Sequence, residues 1–235
     1  LYPFLRANVA YPLYGLRYDL HRTVLRLTNL PVYTALFGDS SAIPHYLRAI
    51  GWHFAAPLVQ SGSNFGVAVG HESPALTTMG SGTMVSDGLT VMNGDYSADA
   101  FRLREVRIGH RNFLGNNIAF PPGARAGDNC LLATKVRIPV GGPVHRDVGL
   151  LGSPAFVIPR SVHRDVAFPE LDSEEARRRL LRHKNRHNTV TVLIYLGAGL
   201  VDLYVAAFLG VLALETFTRV GLWVAPAVTI AGLLF

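Results

Sequence analysis

The residues between Val106 and Val140 repeat with a period of six, which limits the possible folds more than any other feature. Each repeat begins with one apolar residue, and the spacing is six throughout: Ile108, Leu114, Phe120, Ala126, Leu132 and Ile138. An earlier run has the same spacing in another phase: Met79, Val85 and Val91. A period of six fits neither the 3.6-residue turn of an α-helix nor the two-residue alternation of a long flat strand. It indicates a parallel β-helix, in which three short strands form each triangular coil.

Glycine follows the apolar anchor in three of these repeats, at Gly109, Gly115 and Gly127. This position suits a corner of the coil where φ is positive or two backbones approach closely. Mostly small or aliphatic residues recur four positions after each anchor and complete the inward face. Cys130, the single cysteine, is then a small core side chain, and no internal disulfide is possible. We expect the interior to include Val85, Ile108, Leu114, Ala126, Cys130 and Leu132.

The six-residue phase is interrupted between Asp95 and Glu105. Because the coil does not close across this stretch, we expect some of its residues to leave the β-helix as a loop. Loops positioned by a rigid scaffold carry binding and catalytic residues disproportionately often. A binding or catalytic site is therefore expected near this interruption.

The repeat resembles the hexapeptide family of acyl- and acetyltransferases, whose fold is a left-handed parallel β-helix. Residues 152–158 are similar to the glycine–x–proline–alanine exit that ends many of those helices. Four segments resemble the terminal region of non-ribosomal peptide synthetases of the polylysine-synthetase type: residues 93–96, 108–116, 127–136 and 149–154. That family interleaves membrane helices with tandem acyltransferase-like domains. The resemblance covers the chain from about Tyr33 onward and implies a mainly β fold, a left-handed parallel β-helix, followed by transmembrane α-helices.

Composition divides the chain into five segments. We predict an amphipathic juxtamembrane helix at 1–30, a lead-in at 31–64 with a short helix around 42–50, the β-helix at 65–160, a basic linker helix at 161–188 and transmembrane helices at 189–235. From Thr189 to Leu214, 26 residues are apolar apart from Asp202. As a helix they would extend about 39 Å, enough for a hydrocarbon core about 30 Å thick. The second span is cut off at Phe235, so we expect a longer polypeptide.

The first segment carries apolar residues at helical spacing: Leu13, Leu16, Leu20, Val24 and Leu27. The other face is basic, with Arg17, His21, Arg22 and Arg26. An apolar stripe of this kind fits a helix packed on the β-helix, and it fits a helix lying in a membrane interface equally well. The sequence leaves both alternatives open.

The positive net charge of +6 is concentrated before the apolar segment. Six cationic residues lie there: Arg177, Arg178, Arg179, Arg182, Lys184 and Arg186. Basic residues beside a span contact anionic headgroups and mark the cytoplasmic side. We therefore predict a protein of the cell inner membrane with its β-helix in the cytoplasm. Nucleic acid is not expected as a partner, since no aromatic residues alternate with the arginines to stack on bases.

Acyl transfer to an amine needs a base for the acceptor's proton and a hydrogen-bond donor for the oxyanion. The resemblance implies a histidine where the chain leaves the coil, but Gly94 stands at that position. The candidates for a catalytic role in its place are His110, Asp95 and His71. Each also has an ordinary explanation, as a surface histidine or as a carboxylate that caps a loop.

Asn116 and Asn117 are candidates to bind the acyl donor, through hydrogen bonds to a pantetheine arm. Corner geometry also explains them, and we favour it, because asparagine tolerates positive φ. The resemblance implies carrier-bound phosphopantetheine or coenzyme A as the donor. No metal site is expected, because His71, His110 and His145 lack the spacing of a trimeric zinc site.

Three functional hypotheses are consistent with these features. In the first, the chain is a membrane-tethered acyltransferase-like module of a non-ribosomal peptide synthetase that contributes to amide-bond formation from aminoacyl thioesters. Its partners would be an aminoacyl thioester on a carrier domain, tandem sister domains of the same polypeptide and the lipid membrane. In the second, it is a catalytically inert scaffold that completes a cleft with a sister domain, which the missing histidine favours. In the third, it is a generic membrane-associated acetyltransferase that uses coenzyme A.

Overall fold

The computed structural model describes residues 4–38, 40–55, 60–61, 65, 68–159 and 173–220. The region before the repeats contains β1 (Ala10–Pro12), α1 (Leu16–Thr28), α2 (Pro31–Phe37) and α3 (Ile43–Ala49). The repeats contain β2 (His53–Phe54), β3 (Gln60–Ser61), β4 (Val69–His71), β5 (Thr77–Met79), β6 (Met84–Val91), β7 (Gly94–Tyr96), β8 (Ala100–Leu103), β9 (Val106–Ile108), β10 (Phe113–Phe120), β11 (Arg125–Ala126), β12 (Leu131–Thr134), β13 (Gly149–Leu151) and β14 (Phe156–Ile158). A long helix, α4 (Glu174–Val220), follows.

Parallel strand pairing turns the six-residue repeat into a three-sided β-helix. One side is formed by β2, β5, β9 and β11, and the second by β3, β6, β10, β12 and β13. The second halves of β6 and β10 form the third side with β4. Leu114 pairs with Leu132 and Leu132 with Leu150, so one coil takes 18 residues, or three repeats of six. The predicted parallel β-helix is confirmed, while its left hand stays a prediction.

The interior of the β-helix is an apolar column. All six residues expected inside are buried, with Val85 and Leu114 among those that expose no surface. Asn112 is a polar side chain within this column. It donates to the Gly127 carbonyl at 2.9 Å and accepts from the Cys130 N–H at 2.6 Å. Because both ends of its amide are paired, this side chain links two coils without leaving a buried polar group unsatisfied.

The first corner of each coil, which follows the β5–β9–β11 side, stacks the glycines Gly80, Gly109 and Gly127. A Cβ added at Gly80 would lie 2.5 Å from the Gly109 carbonyl, and one at Gly109 would meet the carbonyl of Gly127. Positive φ angles occur two residues later, at Gly82, Arg111, Asn129 and Asp147. The stacked glycines therefore serve close approach of the coils, and not positive φ.

The interrupted phase corresponds to an insertion between two coils. Met79 pairs with Ile108 at a distance of 29 residues along the chain, which exceeds the 18 of one coil by 11. The extra residues form the antiparallel hairpin β7–β8, to which β1 adds a third strand. The expected excursion is present, as a paired hairpin and not an irregular loop. Asn93 closes its base by accepting from the Ser73 N–H and donating to the Arg104 carbonyl, both at 3.0 Å.

Helix α1 packs on this hairpin, and its buried face only partly overlaps the predicted apolar stripe. The His21 ring stacks on Phe101 with 5.6 Å between ring centres, and Tyr18 meets the same ring edge-on. Leu16 and Leu27, both in the predicted apolar stripe, are 76% and 58% exposed. Val24, also in the stripe, is buried, so the packed face is shifted from the predicted stripe toward His21, which was assigned to the basic face and is itself buried. The aromatic surface of the hairpin explains the choice, since aromatic rings pack well on one another.

The segment boundaries also differ from those predicted. Strand β2 pairs with β5, so the first coil begins at His53, before residue 65. Helix α3 is the predicted short helix, whereas α2 was not anticipated. Helix α4 continues through the predicted linker end at 188, where the sequence has no helix-breaking proline. Residues 160–172 and 221–235, which include parts of the predicted linker and second span, lie outside the described residues.

The chain forms two compact units, residues 1–185 and 186–235. Within α4, the stretch Arg178–Thr218 is long and apolar enough to cross a membrane, by length and composition. Those two properties do not establish a span by themselves. The membrane location and its orientation therefore stay predictions.

Candidate functional site

The residues singled out from the sequence lie at four separate places. His110 is at the first corner of its coil. Asn116 and Asn117 are at the second corner, between the two halves of β10. Asp95 lies on the hairpin, and His71 is on the inner surface of the third side. The structure does not bring them together into one site.

His110 belongs to a line of polar side chains along the first corner, which we call the corner row: Ser81, His110, Asp128 and Arg146. Nδ1 of His110 lies 2.9 Å from the Ser81 hydroxyl oxygen and 3.1 Å from the Ser81 backbone nitrogen. Because a backbone N–H only donates, Nδ1 is the acceptor and the neutral ring carries its proton on Nε2. The Ser81 hydroxyl must then also donate, so its proton is directed at the imidazole.

Ser81 was missed by the sequence reasoning, although the repeat contains the signal. It follows Gly80 as His110 follows Gly109. Equivalent positions of adjacent coils lie side by side at the strand spacing of about 4.8 Å. An alignment of the repeats before the insertion with those after it would therefore have placed Ser81 beside His110.

Asp128 contacts His110 from the next coil. Its Oδ1 accepts a hydrogen bond from the His110 backbone N–H at 2.8 Å. This bond is the main reason that the pKa of the Asp128 carboxyl is lowered, and nearby cationic groups add to it. This hydrogen bond places an ionised carboxylate in the corner row, next to His110.

Asp95 is paired across the hairpin with Arg102. Nε and Nη2 of the arginine each lie 2.7 Å from Oδ2 of the carboxylate, and the two residues are direct partners in the strand register. Opposite charges facing each other across an antiparallel pair stabilise it. The position of Asp95 is thus explained by the hairpin.

The point where the chain leaves the coil is covered by Tyr96. A Cβ added at Gly94 would lie 2.5 Å from Cε2 of the Tyr96 ring, so a larger side chain does not fit in this arrangement. The Tyr96 hydroxyl lies 3.0 Å from Nε2 of His21, which reaches it from α1. Oε2 of Glu72 accepts hydrogen bonds from the backbone N–H groups of Asn93 and Gly94, at 2.9 and 2.5 Å. A tyrosine–histidine pair therefore occupies the place where the resemblance implies one histidine.

Burial keeps both members of this pair neutral. It lowers the pKa of His21 to about 4, with a smaller effect from Arg22. It raises the pKa of Tyr96 to about 12, helped by the Glu72 carboxylate. Near neutral pH these two groups share a hydrogen bond but exchange no proton, so the pair fastens α1 to the hairpin. Sequence reasoning missed it because 75 positions separate the two residues.

His71 is enclosed in the β-helix. It is 3% exposed and its ring lies edge-on to Trp52. Burial lowers its pKa to about 4, which the Thr28 carbonyl opposes, although neither ring nitrogen meets hydrogen-bond geometry with a described residue. His71 is thus a buried side chain and not the surface histidine of the ordinary explanation, while a catalytic role for it stays a prediction.

The corner interpretation of Asn117 is confirmed by its φ of 54°. Gly88 and Lys135 occupy the same corner in the neighbouring coils with φ of 80° and 51°. Asn116 is exposed and lies beside Asp87 and Thr134 in the strand register. A role of the two asparagines in donor binding stays a prediction.

Neither a family model nor a curated protein matches the chain. Among solved structures, it is similar to a maltose O-acetyltransferase from Clostridium difficile 630, with 15% identity over 60% of this chain and 84% of that one and a TM-score of 0.38. A hexapeptide-repeat acetyltransferase from Vibrio cholerae O1 biovar eltor, solved with acetyl coenzyme A, shares 14% identity over 62% and 89%, with a TM-score of 0.39. A galactoside acetyltransferase in complex with coenzyme A shares 13% over 66% and 88%, with a TM-score of 0.42.

Likeness at this level assigns neither a family nor a residue role to this chain. The strand pairing does show a parallel β-helix built from six-residue repeats, with a hairpin inserted between two of its coils. Its exposed corner row is the candidate site.

Proposed function

We propose that the chain is an acyltransferase-type module that moves an acyl group from a pantetheine thioester to an amine or a hydroxyl. The observation that carries this proposal is the Ser81–His110 pair, whose hydroxyl oxygen and imidazole nitrogen are 2.9 Å apart. His110 is exposed and Ser81 partly so, which lets a substrate reach them. A base within hydrogen-bond reach of a hydroxyl is the geometry that general-base catalysis requires.

Ser81 would relay the proton in this reaction. The acceptor's N–H or O–H donates to the Ser81 oxygen while Ser81 passes its own proton to Nδ1 of His110. The acceptor forms the new bond to the acyl carbon, and the carbon–sulfur bond of the thioester breaks. The leaving thiolate takes the proton from His110, so the serine and the imidazole end as they began. Between these steps the Asp128 carboxylate stabilises the imidazolium.

The donor would lie along the corner row. The row crosses four coils, which is about 14 Å at about 4.8 Å per coil. An extended pantetheine arm fits such a row, and Arg146 at its end offers a cation for a phosphate. Coenzyme A and carrier-bound phosphopantetheine share this arm, so this geometry suits both. The finer role, amide-bond formation from aminoacyl thioesters in a peptide synthetase with sister domains, rests on the sequence resemblance.

Helix α4 would anchor the module in the inner membrane, with the β-helix in the cytoplasm. The length and composition of Arg178–Thr218 support the anchor. The cationic residues before the apolar stretch support the orientation.

A donor comparison with a matched serine variant tests the proposal. The full chain is incubated with a mixture of primary amines and either acetyl coenzyme A or an aminoacyl pantetheine thioester, and free thiol and acylated amine are measured. We expect transfer from at least one donor. Ser81→Ala should lower the rate by roughly 10²-fold, whereas Ser86→Ala, outside the corner row, should not. Transfer that is unchanged in Ser81→Ala would contradict the relay.

The inert scaffold is the second candidate function, and the covered Gly94 position favours it. Tyr96 fills the space that the implied histidine would need, and His21 fixes Tyr96 in place. For a scaffold, Ser81→Ala and His110→Ala should leave the activity of the complete polypeptide unchanged. Leu132→Ala should still lower that activity, because emptying the core costs about 2–5 kcal/mol of stability.

A further inference from the structure

Helix α1 has a second face, made of leucines, that is exposed to solvent. Leu16 and Leu27 are 76% and 58% exposed, and Leu20 between them is partly exposed. At 3.6 residues per turn these three side chains fall within about 40° of one another around the helix. We call them the leucine stripe. The face that carries His21 already packs on the hairpin, so the stripe is free to contact something else.

The apolar surface extends beyond the helix itself. Phe4 is 60% exposed and lines an open groove of about 290 Å³ beside the stripe. The groove is lined by Phe4, Pro12, Gly15, Leu16, Arg17 and Leu20. Large contiguous patches of exposed apolar surface mark contacts with a partner or a membrane.

Arginines flank the leucine stripe on both sides. On a helical wheel Arg17 lies to one side of it, and Arg26 and Arg22 lie to the other, beyond the exposed Asp19. All three arginines are exposed. Neither Arg22 nor Arg26 forms an ion pair with a described residue. Long arginine stems can lie along apolar surface while the guanidinium groups reach water or an anion. An apolar stripe with cations at both edges is complementary to the interface of a negatively charged bilayer.

We infer that α1 docks on an anionic lipid bilayer, parallel to its surface, with the leucine stripe among the acyl chains and the arginines at the headgroups. A second copy of this chain is a poorer occupant, because it presents the same cations. Docking would also hold the point where the chain leaves the coil, at Gly94, near the bilayer. The opposite face of α1 is bound to the hairpin there by the hydrogen bond between His21 and Tyr96. The inference rests on the proposed anchoring, which brings this unit to a membrane, and not on acyl transfer.

Protection of single labels tests the docking. Cys130 is buried, so cysteines introduced as Leu16→Cys, Leu27→Cys or, as a control, Asn117→Cys can be labelled selectively with the fluorophore NBD. The full chain is placed in nanodiscs, one chain per disc, with phosphatidylcholine alone or mixed with phosphatidylglycerol. Dithionite, which reduces NBD only in water, is then added. We expect the labels at 16 and 27 to be reduced several times more slowly than the label at 117 in the anionic discs.

Substitution of the flanking arginines tests whether the protection depends on their charge. Arg22→Glu with Arg26→Glu should remove protection in anionic discs and leave the Asn117 label unaffected. Reduction at 16 and 27 as fast as at 117 would overturn the inference, and so would protection that does not depend on anionic lipid. Carbonate extraction of cell membranes, measured separately, reports on the α4 anchor, so failure of anchoring is distinguishable from failure of docking.

Discussion

The hydroxyl of Tyr96 lies 3.0 Å from Nε2 of His21, and this bond joins the inserted hairpin to helix α1. His21 is 1% exposed and stacks on Phe101, so a charge on its ring would be poorly solvated. Its pKa in the folded chain is about 4, against 6.5 for a free histidine. Between these two values the unfolded chain therefore binds a proton that the folded chain does not.

The free energy of unfolding should fall as the pH drops from about 6.5 to about 4. His21 contributes roughly 3 kcal/mol to the free energy of unfolding above its unfolded pKa. This contribution is lost as the pH falls through its folded pKa. His71, whose pKa is also about 4, should add a similar fall. We expect His21→Phe to remove about half of this pH dependence in denaturant unfolding followed by circular dichroism. A variant as sensitive to pH as the wild type would show that the histidine is not buried as described.

Leu114→Asp should abolish folding of the β-helix. Leu114 exposes no surface and lies between Val85 and Leu132 in the register, so an aspartate there would be an unpaired charge in an apolar column. Asn116→Asp, on the exposed side of the same strand, is the control and should fold. Circular dichroism and a thermal unfolding transition distinguish the two. A normal transition in Leu114→Asp would mean that the repeat register is wrong.

Gly109→Ala should destabilise the chain by about 1–3 kcal/mol, because its methyl group would meet the Gly127 carbonyl and push two coils apart. Gly70→Ala is a matched control, since a Cβ there has nothing within 4 Å. The comparison is made by denaturant unfolding at one pH. Equal stability of the two variants would refute the close approach of the glycine stack.

The β-helix should face the cytoplasm. Arg125 is exposed on β11, so Arg125→Cys gives an accessible thiol, while the native Cys130 is buried and serves as background. In intact cells an impermeant maleimide should leave this cysteine unlabelled, and permeabilised cells should label it. Labelling in intact cells would reverse the orientation inferred from the arginines.

The β-helix could be predicted from sequence because its rule is local and repeated. Leu114 and Leu132 face inward for the same reason, an 18-residue coil made of three six-residue sides. The packed face of α1 could not be predicted in the same way. Its spacing showed that Leu16 and Leu27 share a face, but the choice of packed face depends on Phe101, which arrives from an insertion later in the chain.

The candidate site was predicted only in part. His110 was singled out, but its partner Ser81 lies in another repeat phase, 29 residues away along the chain. Asp95 and His71 are chemically able to act as bases, yet one is paired with Arg102 and the other is enclosed beside Trp52. The type of a residue shows whether it can act as a base. Whether its side chain is accessible and unpaired depends on neighbours that are distant in the sequence.

The transfer rate of His110→Ala is the most direct test of the proposed function. If Nδ1 of His110 takes the proton through Ser81, the rate should fall by roughly 10²–10⁴-fold, the usual contribution of a general base. Its thermal unfolding should match the wild type, because the side chain is exposed. His53→Ala, at another exposed position, is the control and should keep the full rate. A His110→Ala variant that unfolds normally and transfers acyl groups at the wild-type rate would contradict a catalytic role for the corner row.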